Sequence, residues 1–281
     1  MNQESPTVRT DDAERALSIR HILVALDASP HSLAALRAAV ELAARFGAEV
    51  EGLFVEDVEL LRLTELPFVC EVRVYSATAR HLNFEELEQR LRAQAGEMRR
   101  ALQAAAEQAQ TRWAFRVVRG AITPELLAAA VEADLVIVGK SGWSPVALRR
   151  LGSTAQALFS GAACSTLILQ RDDYLRFPLW VIYDGSPLAD DALTTALALT
   201  PEEEETLTVL ILAAGPATER RLQARVAARL EAQGLTVHFH TLDSSYLQEV
   251  APLARRERCG TLIIPASETL LAGSTLLTLL E

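Results

Sequence analysis

The sequence predicts an α/β protein built as two tandem open parallel-sheet domains, and three observations carry that prediction. Short apolar runs alternate with helical patterns along the chain, which favours a parallel sheet covered by helices. The run His21-Ile-Leu-Val-Ala-Leu-Asp27-Ala-Ser29-Pro30 recurs as Trp180-Val-Ile-Tyr-Asp184-Gly-Ser186-Pro187. The apolar run Leu135–Val138 leads into Gly139-Lys140-Ser141-Gly142, then nine residues, then Gly152-Ser153-Thr154.

The elements follow in order. His21 to Leu26 reads as a strand ending in Asp27. Ser29 is suited to cap the next helix and Pro30 to open it, with Leu33, Leu36 and Val40 on one face. Val50 to Val55 reads as the second strand. Glu59 to Leu82 is an apolar insertion, either a lid or a surface that meets a partner or the other half. Asn83 to about Gln110 reads as a long helix burying Leu87, Leu91, Met98 and Leu102; at ~1.5 Å per residue it spans about 40 Å. Trp113 to Val118 is a strand, and Thr123-Pro124-Glu125 is expected to cap a helix running to Ala133. Leu135 to Val138, a helix near Ser153, and Ser165 to Leu169 close the first half. The second half offers strands at 207–212, 236–240 and 261–264. The boundaries expected are a polar segment 1–20, a first domain 21–170, a linker 171–178 and a second domain 179–281.

Composition narrows the function. Half of the 281 residues are hydrophobic, enough for a large core. Lys and Arg number 27 against 37 Asp and Glu, a net charge of −10, which argues against a nucleic-acid footprint. Cys70, Cys164 and Cys259 fit neither a disulfide framework nor a metal spacing. No stretch approaches the ~20 apolar residues of a membrane helix, and the first 20 residues lack a basic–apolar signal pattern. The expectation is a soluble, cytoplasmic protein with no membrane insertion.

Glycines at a strand-to-helix turn let backbone N–H groups converge on an anion. A P-loop is excluded, because its first glycine would fall at Asp134. Lys140, the only lysine in the chain, lies inside the glycine loop. Ligands of open α/β sheets bind outside the strand carboxyl ends where strand order switches, and Asp27 and Gly139 both sit at such ends. The plainer reading of Asp27 is an acidic residue favourable to the helix dipole. His238 and His240 share a strand face without a convincing third metal ligand. His31 reads as a solvated helix residue, Glu202 to Glu205 as a solvated acidic run, and Cys164 as packing.

With Asp27 after the first strand and the Gly-x2-Gly-x9-Gly-Ser spacing after the fourth, the chain resembles the universal stress protein family in its tandem form, from His21 onward. The resemblance implies an ATP-binding fold in which Asp27 contacts the adenosine and the backbone near Val55, at the end of the second strand, faces the adenine. It implies that Gly139 and Gly142 admit the ribose and phosphates, and that Gly152, Ser153 and Thr154 hold the phosphates at a helix start. Lys140 either adds a charge contact or points into water. ADP and AMP are alternatives to ATP, and Mg2+ would enter through the phosphates.

The second half departs from this pattern. Leu262-Ile-Ile264 runs into Pro265-Ala-Ser-Glu268 without the first glycine pair, and the spacing to Gly273-Ser274 is shorter. Its last strand is expected to be missing, its nucleotide site degenerate, and one nucleotide is expected per chain. The leading expectation is a stress-responsive ATP-binding regulator with no assigned catalytic residue. A slow ATP hydrolase and an interaction module with a vacant loop are the alternatives. The halves are expected to pair as a pseudo-dimer, and tandem chains as a homodimer.

Overall fold

The computed structural model describes residues 19–66, 69–72, 79–81, 83–139, 152–162, 164–169, 175–200, 206–231, 235–243, 245–246 and 249–265. The chain divides into two compact units that part between Leu175 and Arg176.

In the first unit β1 (His21–Leu26) turns into α1 (Pro30–Phe46). Ser29 is the N-cap of that helix, its side chain accepting from the Ser32 N–H, and Gly47 ends it at φ 64°, a left-handed conformation suited to glycine. Then come β2 (Glu49–Asp57), α2 (Val58–Leu63), β3 (Cys70–Val72), β4 (Ala79–His81) and α3 (Phe84–Gln108). The Asn83 side chain caps α3, which buries Leu87, Leu91, Met98 and Leu102 as the periodicity predicts. β5 (Arg112–Gly120), α4 (Ile122–Ala130), β6 (Leu135–Gly139), α5 (Ser153–Gly161) and β7 (Ser165–Leu169) complete the unit.

The sheet order is β5-β2-β1-β6-β7, all parallel. The chain fills one side of β1 with β2 and β5, then crosses to β6 and β7. The switch in strand order therefore lies between the ends of β1 and β6. One face of the sheet packs Leu23, Leu53, Val136 and Val138 against Leu126, Ala129 and Leu158 of α4 and α5.

Two expectations change here. The insertion is not a bare apolar loop: it holds α2, capped by Asp57, and β3 pairs antiparallel with β4. The fourth helix starts earlier than Thr123, with Ala121 as an N-cap that makes no side-chain hydrogen bond, and it ends at Ala130. Pro124 fits inside that first turn because its missing N–H has no intrahelical acceptor there.

The second unit runs β8 (Leu179–Tyr183), α6 (Pro187–Leu199), β9 (Thr206–Leu212), α7 (Pro216–Glu231), β10 (Thr236–Leu242), α8 (Val250–Arg256) and β11 (Thr261–Ile263). Its parallel sheet, β10-β9-β8-β11, reproduces β5-β2-β1-β6 of the first. Among the described residues it has four strands where the first has five. Trp180 is buried in β8 and stacks on His240 at 4.8 Å. The acidic run Glu202 to Glu205 lies outside the described residues. No helix among the described residues is long and apolar enough to cross a membrane.

Candidate functional site

The carboxyl edge of the first sheet is stepped. The β1–β2 ladder ends at Leu26↔Phe54, whereas β2 and β5 stay paired through Asp57↔Gly120. At ~3.3 Å per residue, β2 and β5 rise about 10 Å above the end of β1. On the other side β6 ends level with β1, because Val24 pairs with Ile137 and Gly139 closes the strand. Asp27 stands at the foot of this step.

Asp27 is held by its own turn. Its Oδ1 accepts the Ser29 N–H at 3.0 Å, and its own N–H donates to Ser32 Oγ at 3.0 Å. Ser29 Oγ in turn accepts the Ser32 N–H at 3.2 Å. Ser29 and Ser32 are buried while Asp27 is exposed. Ala28, between Asp27 and Ser29, takes φ 61°, a region that costs an L-residue energy.

Val55 is not the end of the second strand, as the resemblance implied, but lies two residues inside it, paired with Val118. It is nevertheless the first β2 residue beyond the β1 ladder, with its β1-facing edge opposite Asp27. Ala25 and Val55 both pack on the face covered by α4 and α5, and strand alternation carries that face on to Asp27.

Gly139 closes β6 as expected, and its missing side chain makes room for a protein neighbour. A Cβ there would lie 2.8 Å from the His31 Cβ and 3.0 Å from the His31 carbonyl oxygen. The glycine thus admits the first turn of α1, and His31 is a packing residue at its backbone rather than a purely solvated one. Lys140 and Gly142 lie outside the described residues. Gly152 is the N-cap of α5, with no side-chain capping bond, and Ser153 and Thr154 form the first turn. That start lies at the carboxyl edge, since α5 runs back along the sheet between β6 and β7. Gly152 offers no side-chain acceptor to the amides of that turn, although its carbonyl accepts the Gln156 N–H at 3.0 Å, and this end of the helix carries the positive pole of the dipole.

The rim above the step is laced by ion pairs, with Arg92 also on Glu88 at 3.1 Å. Arg119 on β5 donates through Nε to Glu56 Oε2 at 2.9 Å and through Nη2 to Glu88 Oε1 at 2.7 Å. The Arg119 hydrogen bond holds the Glu88 carboxyl below the usual carboxylate range. Cys164 packs at the margin of the core, where burial, reinforced by the charge of Asp134, pushes its thiol up to about 11. No group of three or more His, Cys, Asp or Glu side chains among the described residues could hold a metal ion, His238 and His240 included.

The second unit keeps the turn and loses part of its surroundings. Asp184 Oδ1 accepts the Ser186 N–H at 2.9 Å and Ser186 Oγ accepts the Ala189 N–H at 3.1 Å. Gly185 sits at φ 83° where the first unit has Ala28. Ser32 and Ala28 were missed in the sequence; a serine three residues after a capping serine was the available signal.

Two parallel sheets, each with an Asp-x-Ser-Pro turn at its first strand end, define an open-sheet α/β protein with its candidate site at the switch in strand order. A family model of the Universal stress protein family matches residues 18–170, more than half of the chain, and the chain belongs to that family. A universal stress protein from Archaeoglobus fulgidus DSM 4304 shares the fold at 19% identity and a TM-score of 0.68, over 93% of this chain and 92% of that one. A putative universal stress protein from Pseudomonas aeruginosa UCBPP-PA14 matches at 15% identity and a TM-score of 0.49, over 94% of this chain and 90% of that one. A universal stress protein in complex with cAMP matches at 24% identity and a TM-score of 0.38, over 55% of this chain and 98% of that one. No curated protein matches the chain.

Proposed function

We propose that the first unit binds one adenine nucleotide, ATP with ADP or AMP as alternatives, and that the chain is a stress-responsive regulator switched by that ligand. The observation that carries this reading is the pairing, at one switch point, of the anchored Asp27 turn with the uncapped start of α5. An exposed carboxylate is an acceptor for ribose or adenine donors, and first-turn amides with no side-chain cap are donors for phosphate oxygens. Asp27 and the backbone at Val55 would hold the nucleoside. Gly152, Ser153 and Thr154, with Lys140 and Gly142 of the loop between, would hold the phosphates. Mg2+ would be carried by the phosphates.

The single-site stoichiometry is supported by the family match, which covers the first half only, and by Pro265 following the strand where the first unit has the glycine loop. The second domain, taken as 179–281 beyond a linker at 171–178, would serve as a structural or partner-binding copy in a pseudo-dimer. Tandem chains would assemble as a homodimer, which light scattering would test. ATP can bias a conformational or assembly equilibrium only by binding one state better than the other.

Titration calorimetry with ATP and Mg2+ tests the reading, together with mass analysis of nucleotide released on denaturation. One nucleotide per chain is expected, lost in Gly142→Asp and retained in Gly273→Asp. No binding overturns the nucleotide reading, and two nucleotides per chain overturn the asymmetry.

A further inference from the structure

The two Asp-x-Ser-Pro turns share two hydrogen bonds, and the first has a further one to Ser32. Both have the aspartate oxygen on the serine N–H and the serine oxygen on the N–H three residues on. Among the described residues the first turn alone adds a bond between the strand-end aspartate amide and its first helical turn, from the Asp27 N–H to Ser32 Oγ at 3.0 Å. The residue in the place of Ser32 in the second turn is Ala189, buried like Ser32 but without a hydroxyl. The second helix is capped equally well without it, so capping does not explain a serine buried at this position.

We infer that Ser32 is the positioning residue of the candidate site. Its hydroxyl holds the Asp27 amide just past the end of β1, so the three bonds close a ring around Asp27, Ala28 and Ser29. Two of them fix the Asp27 backbone and carboxylate together, and they hold Ala28 at a positive φ that surroundings must enforce. Ser32 acts through Asp27 and not on the ligand; it determines where the Asp27 carboxylate stands. A preorganised acceptor binds more tightly because less ordering remains to be done on binding. The inference rests on the nucleotide reading above and names the residue that makes the first turn, and not the second, competent.

The test is a double-mutant cycle on the full chain, read as ATP affinity by calorimetry. Ser32→Ala should weaken binding about 3- to 10-fold, the scale of one lost hydrogen bond, with circular dichroism unchanged, since Ala189 shows that the turn accepts alanine. Ser32→Thr, which restores the hydroxyl, should recover most of the loss. Asp27→Asn with Ser32→Ala should bind no more weakly than Asp27→Asn alone, because Ser32 acts through Asp27. Additive losses, or wild-type affinity in Ser32→Ala, would overturn the role while leaving the nucleotide reading intact. A wild-type chain that binds no adenine nucleotide would overturn both.

Discussion

Gly139 lies beneath the first turn of α1, so close that a Cβ on it would stand 2.8 Å from the His31 Cβ and 2.9 Å from the His31 carbonyl carbon. Two of the three nearest atoms are backbone, so no side-chain rotation relieves the contact. Gly139→Ala should destabilise the chain by about 1–3 kcal/mol, the cost typical of overpacking. Adding His31→Ala should not rescue it. Urea unfolding midpoints check both; a neutral Gly139→Ala would mean that α1 shifts freely on the sheet.

Ala28 and Gly185 occupy equivalent turn positions at φ 61° and 83°. Ala28→Gly should stabilise the chain by up to about 1 kcal/mol, relief of left-handed strain offset by greater freedom of the unfolded chain. Gly185→Ala should destabilise it, because a Cβ there would also meet Leu222 Cδ2 at 2.6 Å. Thermal melts of the two variants should move in opposite directions.

Much of this architecture was legible because it rests on local chemistry. Alternating apolar runs, the capping serines with Pro30 and Pro187, and the heptad-like leucines of α3 each act within a few residues of chain. Elements resting on long-range pairing were harder. β2 continues past Val55 because β5 lies beside it through Asp57↔Gly120, which no local pattern announces. The antiparallel pair β3–β4 is three residues per strand, too short for a visible alternation. Gly139 was legible as a constrained position, but its neighbour, the first turn of α1, is more than a hundred residues away in sequence. Ser32 was hidden because a serine in a first helical turn is ordinary until its bond to Asp27 is seen.

The buried thiols should make the fold sensitive to alkali. Burial pushes Cys259 up to about 12 and Cys164 up to about 11, against an ordinary thiol value of about 8.5. Between those values the unfolded chain has released protons that the folded chain keeps, so stability falls as pH rises. The thiols' share of the loss should begin near pH 8.5 and level off above about 11 to 12. Exposed Cys70 should react first with a thiol probe at pH 8. Cys164→Ala with Cys259→Ala should flatten the alkaline slope of stability; an unchanged slope would assign it to other groups.

The second unit carries a polar knot where the first is apolar. Tyr183, wholly buried at the end of β8, donates to Asp190 Oδ1 at 2.7 Å, and burial together with Asp190 pushes its phenol well above the ordinary range. Asp190 also pairs with Arg225, and Arg229 Nη1 lies 3.7 Å from its Oδ1. Arg229 donates to Thr194 Oγ1 as well, at 2.6 Å, so α7 is tied to α6 through that carboxylate and the Thr194 hydroxyl. Removing that carboxylate strands a buried hydroxyl, whereas either half-exposed arginine can turn to water. Asp190→Ala should therefore cost about 2–4 kcal/mol, Tyr183→Phe about 1–2 and Arg225→Ala less than about 1. Urea denaturation of the three variants gives the order directly, and Arg225→Ala costing as much as Asp190→Ala would place the stabilisation in the exposed ion pair instead of the buried bond.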